Sequence, residues 1–386
     1  MKRAGKTTSS VDDASPKQRH AIVGALLGWF AQNARDLPWR RTLDPYAIWI
    51  SEIMLQQTQV KTVIPYWERW LRELPDVSSL ATARSEKVLK LWEGLGYYTR
   101  ARNLQKAAQQ IVAQHGGKFP ADFAEILSLP GIGRYTAGAI SSIAFNQPTP
   151  ILDGNVIRVL TRLFGIRDNP REKTVNARLW NLAEFLVATA TKVPLPPLPD
   201  HLRVLSGPCS ALNQSLMELG ATVCTPRQPS CTTCPLAARC VAQREGLTGE
   251  LPNLGKRAKA TAREFVALVV GHRSKFLVRQ RPPDVVNAHL WEFPNIEVTT
   301  AASTPAAAAH ALGFALASPK PMCVVNHSIT RYRISLKAFR ARGSAQQEAN
   351  EVLGRWCSLS ELDRLAFTSA HRKILRHLAS VAATET

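Results

Sequence analysis

Cys224, Cys231, Cys234 and Cys240 fall in the run CTPRQPSCTTCPLAARC, with six, two and five residues between them. Four thiolates this close can complete the coordination shell of a tetrahedral zinc ion or of an iron–sulfur cube. The spacing matches neither the paired CxxC knuckles of a zinc ribbon nor the bacterial ferredoxin run, so both metals stay open on spacing alone. Paired disulfides are the bland alternative, and nothing in the chain points to the oxidising compartment they require. Cys209, Cys323 and Cys357 are scattered and read as reduced packing residues.

Two carboxylates stand out next. Glu52, in SEIMLQQTQV, sits in an otherwise apolar helical run without an evident local partner. Desolvation there favours the protonated acid, although a solvent-facing acid or a helix-dipole partner is the plainer reading. Asp153, in ILDGNVIRVL, precedes an amphipathic helix and reads as its N-cap, or as a carboxylate held near a bound sugar. An acid that keeps its proton and a second that stays ionised are what cleavage at an acetal-like carbon requires. Between them in sequence, LPGIGRYTAGAI places Gly131 and Gly133 in a tight hairpin just before a helix. Backbone N–H groups at such a start form an anion site, unless the hairpin is only a turn.

Stepping outward from these residues, apolar positions recur at three and four residues from His20 to about Gly246, so this stretch is expected to be all helical. From Arg263 the texture changes to alternating strands such as EFVALVVGH and YRISLKAF, joined by Ala-rich helices, which predicts an α/β unit. The division reads as a basic disordered tail over 1–19, a helical domain over 20–246, a Gly, Pro and Lys-rich linker over 247–262 and an α/β domain over 263–386. The 386 residues carry 49 Lys and Arg against 29 Asp and Glu, a net charge of +20. That excess favours a polyanionic partner, nucleic acid first. Neither a secretory signal nor a membrane anchor is expected, because no stretch supplies the apolar run either needs. The proline-rich stretch Thr191 to Gln214 reads as a surface excursion.

SEIMLQQTQV, LWEGLGYYTRARNL, LPGIGRYTAGAI, LDGNVIRVL, LMELGATVC and the four-cysteine loop together resemble the adenine DNA glycosylases of the MutY kind, within the helix-hairpin-helix superfamily that includes endonuclease III. The resemblance covers roughly residues 20–246 and implies a [4Fe-4S] cluster on the four cysteines. It implies that Glu52 protonates adenine N7, that Asp153 stabilises the oxocarbenium ion, and that Tyr135 and Asn155 orient both. Trp39 and Arg40 would line the pocket of the flipped nucleotide; Gln57, Thr58 and Tyr97 would intercalate or wedge; Gly131, Gly133 and Arg227 would meet phosphate. Tyr135 stands where strand-cutting relatives carry a lysine, which implies a monofunctional enzyme.

The C-terminal part is similar to the Nudix-like domain with which such glycosylases sense 8-oxoguanine. AHLWEFPNIEV has the Nudix character, but no glutamate-rich box follows, so binding rather than hydrolysis is expected. The implied reading loop, NHSITRYRI, offers His327, Ile329, Thr330 and Arg331 where the family often has His, Phe, Ser and His. The implied partner is double-stranded DNA with A opposite 8-oxoguanine or G, bound by a monomer in the cytoplasm, on the nucleoid if the cell is bacterial.

Overall fold

The computed structural model describes residues 15–255, 259–298, 304–314, 319–329, 331–344 and 354–384. The chain forms two compact units, one of residues 1–81 and 106–256, the other of residues 82–105 and 257–386.

The first unit is helical. Its first helix, α1 (Pro16–Asn33), opens with a capping box between Ser15 and Gln18 and with Pro16 at a position where no N–H is needed. It therefore begins inside the stretch 1–19 expected to be a disordered tail, whose residues 1–14 lie outside the described residues. Helix α2 (Pro45–Leu55) is capped by Asp44 and is buried from Tyr46 to Met54, as a helix apolar on nearly every side must be. It packs against α3 (Val60–Glu73) on one side. After α4 (Val77–Thr82) the chain passes through α5 (Ser85–Leu91) and the start of α6 (Thr99–His115), which belong to the second unit, and returns from residue 106; α7 (Phe123–Ser128) then leads through the Gly131 hairpin into α8 (Arg134–Phe145), which packs on α2. Helices α9 (Gly154–Leu163), α10 (Lys173–Ala190) and α11 (Pro208–Thr222) complete the bundle before the short α12 (Val241–Arg244). Leu26, Phe30, Ile151, Leu160 and Leu212 are buried in one core.

Two expectations need correction here. The stretch 191–214 is not a surface excursion: Leu202 is fully buried, Val193 is buried with it in the main core, and residues from Pro208 belong to α11. A proline-rich segment can still bury leucines, and hydrophobic burial outweighs its polar look. The first residues of the expected linker, 247–251, are held against the helical unit. Leu247 and Leu251 are buried against Ala242, and the Leu251 carbonyl accepts from Arg162 Nε at 2.8 Å.

The second unit is a mixed sheet with helices. Its strands are β1 (Thr261–His272), β2 (Lys275–Gln280), β3 (Trp291–Glu292), β4 (Asn295–Glu297), β5 (Lys320–Ile329), β6 (Tyr332–Arg342) and β7 (Arg355–Ser358). Their order is β3-β2-β1-β6-β5, with β4 paired to β1 and β7 to β2. β1 runs parallel to β6, and Val266 to Val270 in it are all buried, the continuous apolar run of a strand covered on both faces. Val266, Leu268 and Val270 pack with α13 (Pro305–Ala311) on one face. Val269, Phe293 and Phe367 pack with α15 (Ser369–Thr384) on the other, after the short α14 (Leu359–Arg364). The α/β expectation for this part holds. Residues 82–105, legible in the sequence only as more helix, pack with the sheet.

Candidate active site

Ten of the residues selected from sequence line one cavity of about 810 Å³ in the helical unit: Trp39, Arg40, Glu52, Gln57, Thr58, Gly131, Gly133, Tyr135, Asp153 and Asn155. That volume is in the range of ligand sites. Glu52 comes from the C-terminal half of α2, Tyr135 from the first turn of α8, and Asp153 from the entrance of α9.

Glu52 does have a partner, one remote in sequence. The Tyr135 hydroxyl donates to Glu52 Oε2 at 2.8 Å and lies 3.3 Å from Met217 Sδ. Glu52 is 5% exposed, and burial pushes its carboxyl up to about 7; Tyr135 and Arg40 lower it while Asp153 raises it. Burial and the neighbouring Glu52 raise the Tyr135 hydroxyl well above its ordinary value, so it remains a donor.

Asp153 is the N-cap of α9, its Oδ1 accepting from Val156 N at 2.8 Å. Its Oδ2 accepts from Asn155 Nδ2 at 2.9 Å. Burial raises its carboxyl too, against the lowering influence of Val156, Asn155 and Arg158. The N-cap reading of Asp153 holds, and the same carboxylate also lines the cavity.

Beside Glu52 the cavity wall carries an ion-pair network that sequence reasoning missed. Glu218 in α11 accepts from Arg35 Nε at 2.7 Å, Arg35 Nη2 at 2.9 Å and Arg40 Nη2 at 2.8 Å, and Arg40 Nε donates to Gln214 Oε1 at 3.1 Å. Burial pushes the Glu218 carboxyl up, but Arg35 and Arg40 overcome it and hold the group at about 2. Its sequence signal was the one that marked Glu52, a lone acid in an apolar helix, SLMELGA.

The four cysteines are free thiols lining a single recess with Arg162 and Val223. Among the described residues, no three His, Cys, Asp or Glu side chains are arranged to hold one metal ion. Four thiols on one recess supply the donor set that either a zinc ion or an iron–sulfur cube takes. Arg162, 2% exposed, donates to Cys224 Sγ at 3.4 Å and to the carbonyls of Thr225 at 2.8 Å and Pro226 at 3.0 Å, fixing the loop from α9. One turn earlier Arg158 donates to Cys224 O at 2.7 Å, Gly220 O at 2.7 Å and Asn155 Oδ1 at 2.8 Å. A continuous path therefore joins the cysteine loop to Asp153.

Other selected residues lie outside the cavity. Tyr97 is 49% exposed in the stretch 82–105 of the second unit. Arg227 is exposed on the cysteine loop. His327 shares a face of β5 with buried Val325, and its half-buried ring is pushed below its ordinary pKa by burial and by Lys373 of α15. Ile329 and Tyr332 close the β5–β6 turn as a register pair, and exposed Arg331 donates to the Tyr332 hydroxyl at 3.1 Å. Thr330 lies outside the described residues.

Residues 50–185 match the HhH-GPD superfamily of base excision DNA repair proteins, and residues 265–377 match the NUDIX domain. The chain is 34% identical to the adenine DNA glycosylase of Rattus norvegicus, over 91% of this chain and 76% of the relative. Identity to the adenine DNA glycosylase of Buchnera aphidicola subsp. Acyrthosiphon pisum is 38%, over 70% of this chain and 73% of that one. Among solved structures, a thermostable thymine-DNA glycosylase superposes with a TM-score of 0.50 at 30% identity, covering 59% of this chain and 98% of its own.

Proposed function

Because the chain belongs to the adenine DNA glycosylases, DNA N-glycosylases of base excision repair, we propose that it removes adenine mispaired with 8-oxoguanine or guanine and leaves the strand uncut. The observation that carries the mechanism is Glu52, buried, raised to about 7 and hydrogen-bonded by Tyr135, in one cavity with Asp153.

Adenine must leave the duplex to be reached, at an unstacking cost of a few kcal/mol that a mispair reduces. Gln57, exposed with φ +58 at the end of α2, and Thr58 stand at the cavity edge to fill the vacated space. Trp39 and Arg40 line the extruded base. Glu218, ionised and fully occupied by donors from Arg35 and Arg40, holds Arg40 in the wall of that pocket. Glu52 then donates its proton to N7, the glycosidic bond breaks with its electrons staying on the base, and the sugar becomes an oxocarbenium ion. Asp153, oriented by Asn155, stabilises that cation with its carboxylate until water adds to the anomeric carbon and gives its proton to the Glu52 carboxylate, which restores the acid. Without a lysine amine at position 135 no Schiff base forms on the sugar, so the product is an abasic site.

Cys224, Cys231, Cys234 and Cys240 would hold a [4Fe-4S] cluster, whose chemistry here is to pin the loop rather than to react. Arg227 and the Gly131–Gly133 hairpin would meet phosphates. His327, Ile329, Thr330 and Arg331 would serve the sensing of 8-oxoguanine, the arginine through a fixed charge. Such work would bring the protein to chromosomal DNA as a monomer, in the cytoplasm, on the nucleoid if the cell is bacterial.

The test is base release from end-labelled duplexes carrying A opposite 8-oxoguanine, G or T, with and without alkali. Adenine loss from the first two only, with breaks appearing only after alkali, supports the reading. Breaks without alkali sink monofunctionality, and tight binding without base release sinks catalysis.

A further inference from the structure

Residues 92–98, WEGLGYY, form a turn whose backbone is left-handed at Gly94 (φ +108), Gly96 (φ +70) and Tyr97 (φ +47). Glycine adopts such angles freely, whereas an aromatic residue does so only where its surroundings compel it. Trp92 is fully buried and Tyr98 is 2% exposed, yet Tyr97 between them is 49% exposed. The turn is built to carry one ring outward, with the Arg100 guanidinium 5.6 Å from that ring.

Its supports come from far along the chain. Glu93 Oε1 accepts from Phe367 N at 2.8 Å and from Arg372 Nε at 2.8 Å, across 279 residues in the second case. On the other side, the Tyr98 hydroxyl donates to Phe367 O at 3.3 Å and accepts from Gly94 N at 3.2 Å. Both backbone polar groups of Phe367, itself fully buried in the sheet core, thus grip the turn that presents Tyr97. Arg372 is in turn fixed by Asp363 Oδ1 at 3.0 Å and Leu365 O at 2.6 Å. The Glu93–Arg372 pair is only 13% and 10% exposed, and each member has a second partner, Lys90 Nζ at 2.9 Å from Glu93 Oε2 and Asp363 Oδ1 at 3.0 Å from Arg372 Nη1, so removing one charge breaks the link between turn and helix while leaving the other group paired.

We propose that Glu93 and Arg372 are positioning residues through which the C-terminal part of the chain sets the outward pose of Tyr97, and with it the insertion of that ring into mispaired DNA. The inference rests on the DNA-mismatch reading above, and adds that the wedge is aimed by residues of the sheet unit rather than by its own helices.

The experiment uses the full chain and a duplex with A opposite G, carrying 2-aminopurine on either side of the G. Insertion of an aromatic ring unstacks the probe and raises its fluorescence, with no need for base release. Arg372→Gln should weaken mismatch binding roughly three- to tenfold, within the range of measured pair couplings, and reduce the fluorescence rise. In a Tyr97→Ala background the same substitution should have no further effect, and Arg372→Lys should recover part of the loss. Glu93→Gln keeps an oxygen for Phe367 N while removing the ion pair, and it gives the same result without depending on how Arg372→Gln folds. Equal losses with and without Tyr97, or an unchanged fluorescence rise in both Arg372→Gln and Glu93→Gln, would overturn the proposal. A duplex that shows the full fluorescence pattern but never releases adenine would overturn the glycosylase reading and leave this one standing.

Discussion

The Cβ that Gly220 lacks would stand 2.6 Å from Asn155 Cβ and 3.1 Å from Asn155 Cα. Helix α11 thus touches the first turn of α9 at the residue that bonds Asp153, and only glycine permits the approach. Gly220→Ala should push that turn away and displace the carboxylate. Misplacement on this scale costs on the order of a hundredfold in rate. Single-turnover base release should fall by that factor while duplex affinity holds; a rate within twofold of the parent would show that the helices yield without moving Asp153.

Glu52→Gln trades activity for stability. Loss of the proton donor should slow base release by roughly 10²–10⁴-fold. Burial raises the folded-state carboxyl from 4.5 to about 7, so its contribution to stability is full below the unfolded value and is lost as pH rises through about 7. The ionised form carries a penalty of about 3 kcal/mol. Thermal denaturation at pH 8 should therefore find the variant more stable than the parent, with the gap closing by pH 5. An unchanged melting temperature at pH 8 would mean that Glu52 is solvated.

Catalysis by a protonated Glu52 requires the single-turnover rate to fall as pH rises through about 7. Tyr135 donates to the carboxylate and lowers its pKa, so Tyr135→Phe should move that alkaline limb to higher pH. A limb that stays in place, or moves to lower pH, would assign the titration to another group.

Arg158 spans the cysteine loop and Asn155. Replacing it by Gln should lower the rate roughly ten- to hundredfold, because Asn155 loses its anchor and Asp153 its orientation. Iron content measured on the same preparation separates the two ends of the path: full iron with slow base release is expected, and loss of iron would place the defect in the loop.

Cys234→Ser removes one of four thiols from the recess. Absorbance in the visible and iron per chain should fall together, and limited proteolysis between residues 224 and 251 should accelerate, since the loop loses its pin. Unaltered visible absorbance would remove Cys234 from the ligand set.

Reading the chain from residue types found the chemistry better than the scaffolding. Glu52 and Asp153 were visible because an acid in an apolar run and an acid at a helix entrance break a pattern, and the structure places them in one cavity. The Gly131 hairpin announced itself through glycine, and its φ of +78 explains why. Glu218 carried the same local mark as Glu52, but its pairing with Arg35, 183 residues away, left no trace in the sequence, because a long-range ion pair has no periodicity. Residues 191–214 and 247–251 were misjudged for one shared reason. Scattered prolines, glycines and charges drew the reading toward loop, whereas a few leucines, Leu202, Leu247 and Leu251, are buried and hold their neighbours in place.

The placement of residues 82–105 with a sheet built from residues beyond 256 has a consequence for biosynthesis. When Glu93 joins the growing chain, its partner Arg372 is still 279 residues from being made. At roughly 5–20 residues per second the wait is about 15–60 s. Over that interval Trp92 and Tyr98 have no finished core to enter, and translation pauses or chaperone supply should affect the yield of this segment more than that of the cavity helices.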